Sequence, residues 1–269
     1  MLLALMAVPR SAHADQPRDY MLRGQPGADR LLMDYLGIGT QLSYERRRSF
    51  FQGANDYTLS ASALASYPLG QVGASAAVRF LWFELGVALG YRTVWRNLSF
   101  EPGDNSYCKD CDRAARRARD PILGKGPDSD HFWLADARLQ LYAPMNDYFV
   151  LTSALTANYQ GLRPRSYDWF LADVHDPGVI VRWELMAFVK HRKWGGIGPY
   201  LQLQALPRGD KHVAEFAAGF NLVSRVGLVA RRDMLFVTVL VRPGDDMYGQ
   251  HAYFAPLRAL FFYRLELML

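Results

Sequence analysis

His131 to Tyr159 reads HFWLADARLQLYAPMNDYFVLTSALTANY, and the fold follows from it. In its first half Trp133, Ala135, Ala137, Leu139 and Leu141 share one face, while Leu134, Asp136, Arg138, Gln140 and Tyr142 share the other. That is the period of two expected of a strand. Pro144-Met145-Asn146-Asp147 reads as a turn. Beyond it Phe149, Leu151, Leu155, Ala157 and Tyr159 form an apolar row opposite Thr152, Thr156 and Asn158. Each half has about ten residues or more, enough to cross a bilayer at the usual strand tilt. The stretch predicts one hairpin of a membrane-spanning sheet.

The bulk composition agrees. Of 269 residues 50% are hydrophobic and 13% aromatic, with 15 Tyr, 15 Phe and 6 Trp. No run of roughly 18 apolar residues exists, so a conventional transmembrane helix is excluded. The net charge of +5 comes mainly from arginines in expected loops. No nucleic-acid motif accompanies them, and anionic lipopolysaccharide is the expected counter-charge.

Met1 to Ala14 has a short apolar core from Leu2 to Val8 and ends in Ala12-His13-Ala14, which fits export and cleavage before Asp15. It has no basic residues before the core, and an ordinary apolar N-terminus is the alternative. Residues 15–30, with Pro17, Gly24, Pro26 and Gly27, read as a periplasmic leader, and 31–269 as the barrel. Ten candidate strands follow, near 31–45, 57–66, 79–95, 131–142, 149–159, 178–190, 200–206, 212–223, 234–242 and 257–269. The expected architecture is an all-β, antiparallel, up-and-down transmembrane barrel of about ten strands, with 8 to 12 allowed. Arg46-Arg47-Arg48 and the residues to Asp56 read as a polar loop, and Gly195, Gly196 and Gly198 as a turn. Connections after odd strands are mostly long and those after even strands short, although Pro207 to Lys211 is short where a long loop is expected and 144–147 and 160–177 fit one phase poorly. This rhythm places both termini in the periplasm.

At the C-terminus Tyr263, Leu265, Leu267 and Leu269 alternate to the last residue. The pattern resembles the assembly signal that Gram-negative outer-membrane proteins present to the barrel assembly machinery, with Leu269 in place of the usual terminal aromatic. The resemblance is to a class and implies an integral outer-membrane protein. A soluble β-sandwich is the alternative. Against it, outward rows of five or six residues are nearly free of charge while the opposite rows carry charges.

If the apolar rows face lipid, then Glu84, Arg92, Asp136, Arg138, Arg182, Glu184, Lys190, Glu215, Arg264 and Glu266 face the lumen. A barrel of this size is largely filled by side chains, and isolated buried charge is costly, so these groups are expected to pair. Two outcomes are open, a salt-bridged plug and a narrow charge-lined pore for small polar solutes. Cys108 and Cys111 form a lone CxxC in a long insertion, where a local disulfide is the default over a redox or metal site. Arg113, Arg116 and Arg117 could meet lipopolysaccharide phosphates or an envelope protein, or remain solvated. Some small barrels are proteases or lipid hydrolases, which need a His beside an acid near one rim. His131, His175, His212 and His251, with Asp130, Asp173, Asp176, Asp245 and Asp246, fix no such pairing. The expectation is a scaffold or interaction component or, alternatively, a narrow channel, with no catalytic residues, cofactor or metal.

Overall fold

The computed structural model describes residues 29–36, 39–50, 55–67, 69–95, 130–146, 148–161, 166–168, 173–191, 195–208, 211–226, 233–241 and 257–268. The export segment 1–14, the leader up to residue 28, Cys108, Cys111, the arginine run at 113–119, Asp245, Asp246, His251 and Leu269 lie outside the described residues.

Among the described residues the strands in chain order are β1 (Asp29–Leu36), β2 (Gly39–Phe50), β3 (Asn55–Ser66), β4 (Leu69–Phe80), β5 (Phe83–Val94), β6 (Asp130–Asn146), β7 (Phe149–Gln160), β8 (Ser166–Asp168), β9 (Asp173–His175), β10 (Gly178–His191), β11 (Gly195–Arg208), β12 (Lys211–Arg225), β13 (Met234–Val241) and β14 (Leu257–Met268). Twelve of them close an antiparallel barrel in the order β1-β2-β3-β4-β5-β6-β7-β10-β11-β12-β13-β14, with β14 returning to β1. The short β8–β9 hairpin stands apart, and Asp176 N donates to Pro207 O at 2.9 Å to tie its base to β11.

The barrel is all-β and antiparallel as the alternation requires, with two strands more than the expected ten. One extra strand comes from a boundary that the periodicity runs through, between β1 and β2; the other is β4, which except for Arg79 and Phe80 lies in the stretch 67–78 left between expected strands. The stretch 31–45 is β1 and part of β2, separated at 37–38, and 79–95 is the end of β4 and all of β5, separated by Leu81-Trp82. Leu81 has φ 42°, the left-handed geometry a two-residue turn needs. Phe80 and Phe83 are partners across it, so the outward parity changes from even to odd numbers and Arg79 falls on the inner face.

Two expected loops are also strand. Arg46-Arg47-Arg48 continues β2, and Gly195, Gly196 and Gly198 belong to β11, paired with β10 and β12. A side chain is barred there by proximity: a Cβ on Gly198 would lie 1.7 Å from Ala187 O, and one on Gly219 1.8 Å from Val239 O. The turn expected at Pro144 is tighter, because β6 continues to Asn146 through a register irregularity after Pro144.

The long connections, 95–129, 161–177 and 242–256, all leave one end of the barrel. At the other end are 51–54, 81–82, 147–148, 192–194 and 226–233, together with the start of β1 and the end of β14. The two added strands both precede the long insertion, so they leave this parity unchanged.

Candidate functional site

The wall sorts its residues by the strand period. On β5, Phe83, Leu85, Val87 and Leu89 are 38–65% exposed on the outside, whereas Glu84 and Arg92 on the inner face are 5% and 7% exposed. The same apolar row runs along Leu139 and Leu141, Val179 and Val181, and Leu201 and Leu203. Exposed rings collect toward the two ends of this band. Tyr35, Tyr67, Trp95, Trp133 and Tyr159 lie toward the long connections; Tyr57, Phe80, Trp82, Phe83 and Tyr148 lie toward the short ones.

Inside, the strand register lays side chains in rows around the barrel. One row runs Thr58, Ala77, Gly86, Arg138, Thr156, Arg182, Gln204, Glu215. The next runs Asp56, Arg79, Glu84, Gln140, Ala154, Glu184, Gln202. Most charges are held by partners. Arg47 and Asp56, 0% and 1% exposed at the side chain, pair bidentately at 3.0 and 2.7 Å. Arg264 grips Asp34 in the same way at 2.5 and 2.6 Å across the closing β1–β14 seam. Arg30 meets Glu45 at 2.5 Å and Glu266 at 3.4 Å. Arg92 donates to Gln71 at 2.9 Å and lies over Phe132, Arg79 lies over Tyr142, and Gln204 donates to Glu215 at 3.0 Å. Such pairing is what makes charge tolerable where water is scarce.

Glu184 is the hub of a looser group. Tyr200 donates to it, Arg182 approaches at 3.4 Å and Arg138 at 3.9 Å. Asp136 accepts from Asn158. Beside this group lies a cavity of about 440 Å³, lined by Arg138, Arg182, Arg264, Asp136, Glu84 and Glu45, by the hydroxyls of Thr58, Ser60, Ser75 and Thr156, and by Ala77, Gly86 and Ala88. It exists because β3, β4 and β5 present small inner residues.

Two apolar layers bracket the charged belt, and neither was expected from sequence. Toward the long connections Leu64, Leu69, Val94, Phe132 and Leu134 pack together with Leu36. Toward the short connections, over a different sector, Phe188, Val223, Met234 and Phe236 pack with Met186. The signal for both was an inward parity position carrying an apolar residue, as at Leu134 and Phe188 within otherwise polar rows.

The other expected positions are spread. Lys190 lies on β10 opposite Gly196. Tyr263 donates to Asp233 at 2.5 Å, Leu265 is half-buried and Leu267 is exposed. The described histidines do not converge: His131 is exposed beside Thr93, His212 is exposed against Val179 O, and His175 is buried against Asp176 O. Among the described residues no group of three or more His, Cys, Asp or Glu is arranged to hold a metal ion.

No protein-family model matches the chain, and no curated protein matches it. Solved structures align with it at TM-scores below 0.5. The β domain of the Bordetella autotransporter BrkA aligns at a TM-score of 0.39 and 11% identity over 89% of this chain and 96% of that one. The NanC porin aligns at 0.38 and 8% over 89% and 98%, and the KdgM porin at 0.35 and 9% over 89% and 96%. The functional reading therefore rests on the chain's own residues.

Proposed function

We propose that this chain is an integral outer-membrane β-barrel that acts as a non-enzymatic scaffold of the cell envelope, its lumen closed to steady ion flow. The apolar outer band between two sets of aromatic rings supports the membrane assignment, since lipid rewards such a face and Trp and Tyr suit its two interfaces. The arrangement of connections supports termini and short turns in the periplasm, and long loops at the cell surface available to lipopolysaccharide or envelope partners. The barrel assembly machinery is the partner that inserts it, through the Tyr263, Leu265, Leu267, Leu269 alternation, and export depends on residues 1–14.

The observation that carries the closed lumen is the layering, a paired charge belt between two apolar clusters. A continuous water column would wet the lumen charges, whereas Arg30, Arg47, Asp56 and Asp34 are all 5% exposed or less and paired. The test is planar-bilayer recording of the refolded chain, with brominated-lipid quenching of tryptophan to report insertion. Quenching with a silent membrane is expected; steady conductance would replace the scaffold with a narrow channel, and absence of quenching would remove the membrane assignment.

A further inference from the structure

We infer that the lumen cavity is a binding pocket for a small zwitterion of the α-amino-acid type, its carboxylate held by Arg138 and Arg182 and its ammonium by Asp136. The argument begins from what these groups lack. Every other arginine pair described above is bidentate or shorter than 3.5 Å, yet Arg138, 47% exposed at its side chain inside the wall, comes no nearer to a carboxylate than 3.9 Å. Arg182 shares that same Glu184, whose other contact is the Tyr200 hydroxyl. Asp136 has one hydrogen bond, from Asn158. Two guanidinium forks and a carboxylate thus turn toward open space with bonding capacity to spare.

The register explains both the space and the ligand's shape. Arg138 and Arg182 flank Thr156 on adjoining strands, so their backbones stand two strand spacings apart, about 10 Å. Long arginine side chains converge across that gap on a group the size of a carboxylate. Asp136 lies two residues from Arg138 on the same face, about 7 Å along the strand. Opposite charges held this close match a molecule whose poles sit on one carbon, and they penalise a simple anion, which would meet Asp136 with nothing to offer it. Gly86 and Ala88 are the partners of Arg138 and Asp136 on β5, and their missing side chains form the void.

Toward the long connections the strands that line the cavity carry the cluster of Leu64, Leu134 and Phe132. Toward the short connections the same sector holds the Arg47–Asp56 pair and Arg79, all polar. The pocket stands on lumen geometry alone and goes beyond the scaffold reading: a conducting barrel that bound the ligand would sink that reading and leave this one.

The test is calorimetric titration of the full chain, refolded in detergent, with L-serine. Its two half-molecules, ethanolamine and 3-hydroxypropionate, and sodium chloride at matched ionic strength serve as comparisons. Saturable L-serine binding is expected, with each half-molecule weaker by about tenfold or more, the worth of one charged hydrogen-bonded contact. Arg138→Gln should weaken L-serine by a similar factor. Gly86→Val keeps every charge and places an isopropyl group directly beside Arg138, where a Cβ meets nothing nearer than Ala77 Cβ at 3.6 Å, and it should weaken L-serine binding in a chain that still shows heat-modifiable migration. No saturable L-serine binding, equal affinity for a half-molecule, or unchanged affinity in Gly86→Val would each overturn the assignment.

Discussion

Asp56→Ala is the perturbation whose size the structure fixes best. Asp56 opens the inner row of β3 and receives two hydrogen bonds from Arg47, at 3.0 and 2.7 Å, with both side chains essentially out of solvent. Removing the carboxylate takes this bidentate partner from a buried guanidinium, and breaking a buried pair in this way costs about 3–5 kcal/mol. With a urea dependence of about 2 kcal/mol per molar, the unfolding midpoint should fall by roughly 1.5–2.5 M. The assay is equilibrium urea unfolding in lipid vesicles, followed by tryptophan emission and repeated from the unfolded side to establish reversibility. Arg47→Met combined with Asp56→Leu removes both charges and keeps the volume, and it should return to within about 1 kcal/mol of the parent. A midpoint shift under 0.5 M for Asp56→Ala would refute the claim that this part of the lumen is dry, to the order of about 1 kcal/mol. A double variant as weak as the single one would show that packing, rather than stranded charge, set the loss.

Three further perturbations probe other layers. Leu64→Ala with Leu134→Ala thins the apolar layer above the cavity; each change should cost about 2–5 kcal/mol, and bilayer recordings should gain conductance bursts absent from the parent. If both leucines can be trimmed with the barrel still folded and silent, that layer is not the seal. Leu89→Arg, at an outward site 65% exposed on β5, should destabilise the vesicle-inserted barrel by about 2–4 kcal/mol, and no effect in the same unfolding assay would contradict the lipid-facing assignment. Gly198→Val should block folding, because its Cβ would sit 1.7 Å from a neighbouring backbone oxygen, whereas Gly86→Ala, with 3.6 Å to the nearest atom, should fold normally; gel migration of boiled and unboiled samples separates the two.

The sequence was most legible where a strand's two faces differ in polarity over many residues. The alternation from Trp133 to Tyr142, from Phe83 to Tyr91 and from Val179 to Val189 identifies wall and inner face at once. It was least legible at turns of two residues. Leu81 and Trp82 are themselves apolar, so the period of two ran on through them and hid a strand boundary. Charge misled in the opposite direction at Arg46-Arg47-Arg48, where density of one residue type suggested a loop although only Arg47 points inward, to a partner nine residues away. Gly195 to Gly198 suggested a turn because glycine permits turns, whereas these glycines are needed where β10 and β12 crowd β11. The cavity left no positive signal, since it is made by what Gly86, Ala77 and Ala88 omit, and only the register across β4, β5 and β6 shows that the omissions face Arg138.

The seam between β1 and β14 brings Arg264 onto Asp34 across 230 residues of chain and sets Arg30 opposite Met268, so the beginning and end of the wall run side by side. Closing a loop of that length carries an entropic penalty of about 5 kcal/mol, which the strands joined by connections of two or three residues largely escape. The penalty belongs to where the polypeptide happens to be cut rather than to the barrel. A circularly permuted chain, with a short linker from β14 to β1 and new termini between β11 and β12, would convert the seam into an ordinary hairpin and move the same penalty to 209–210.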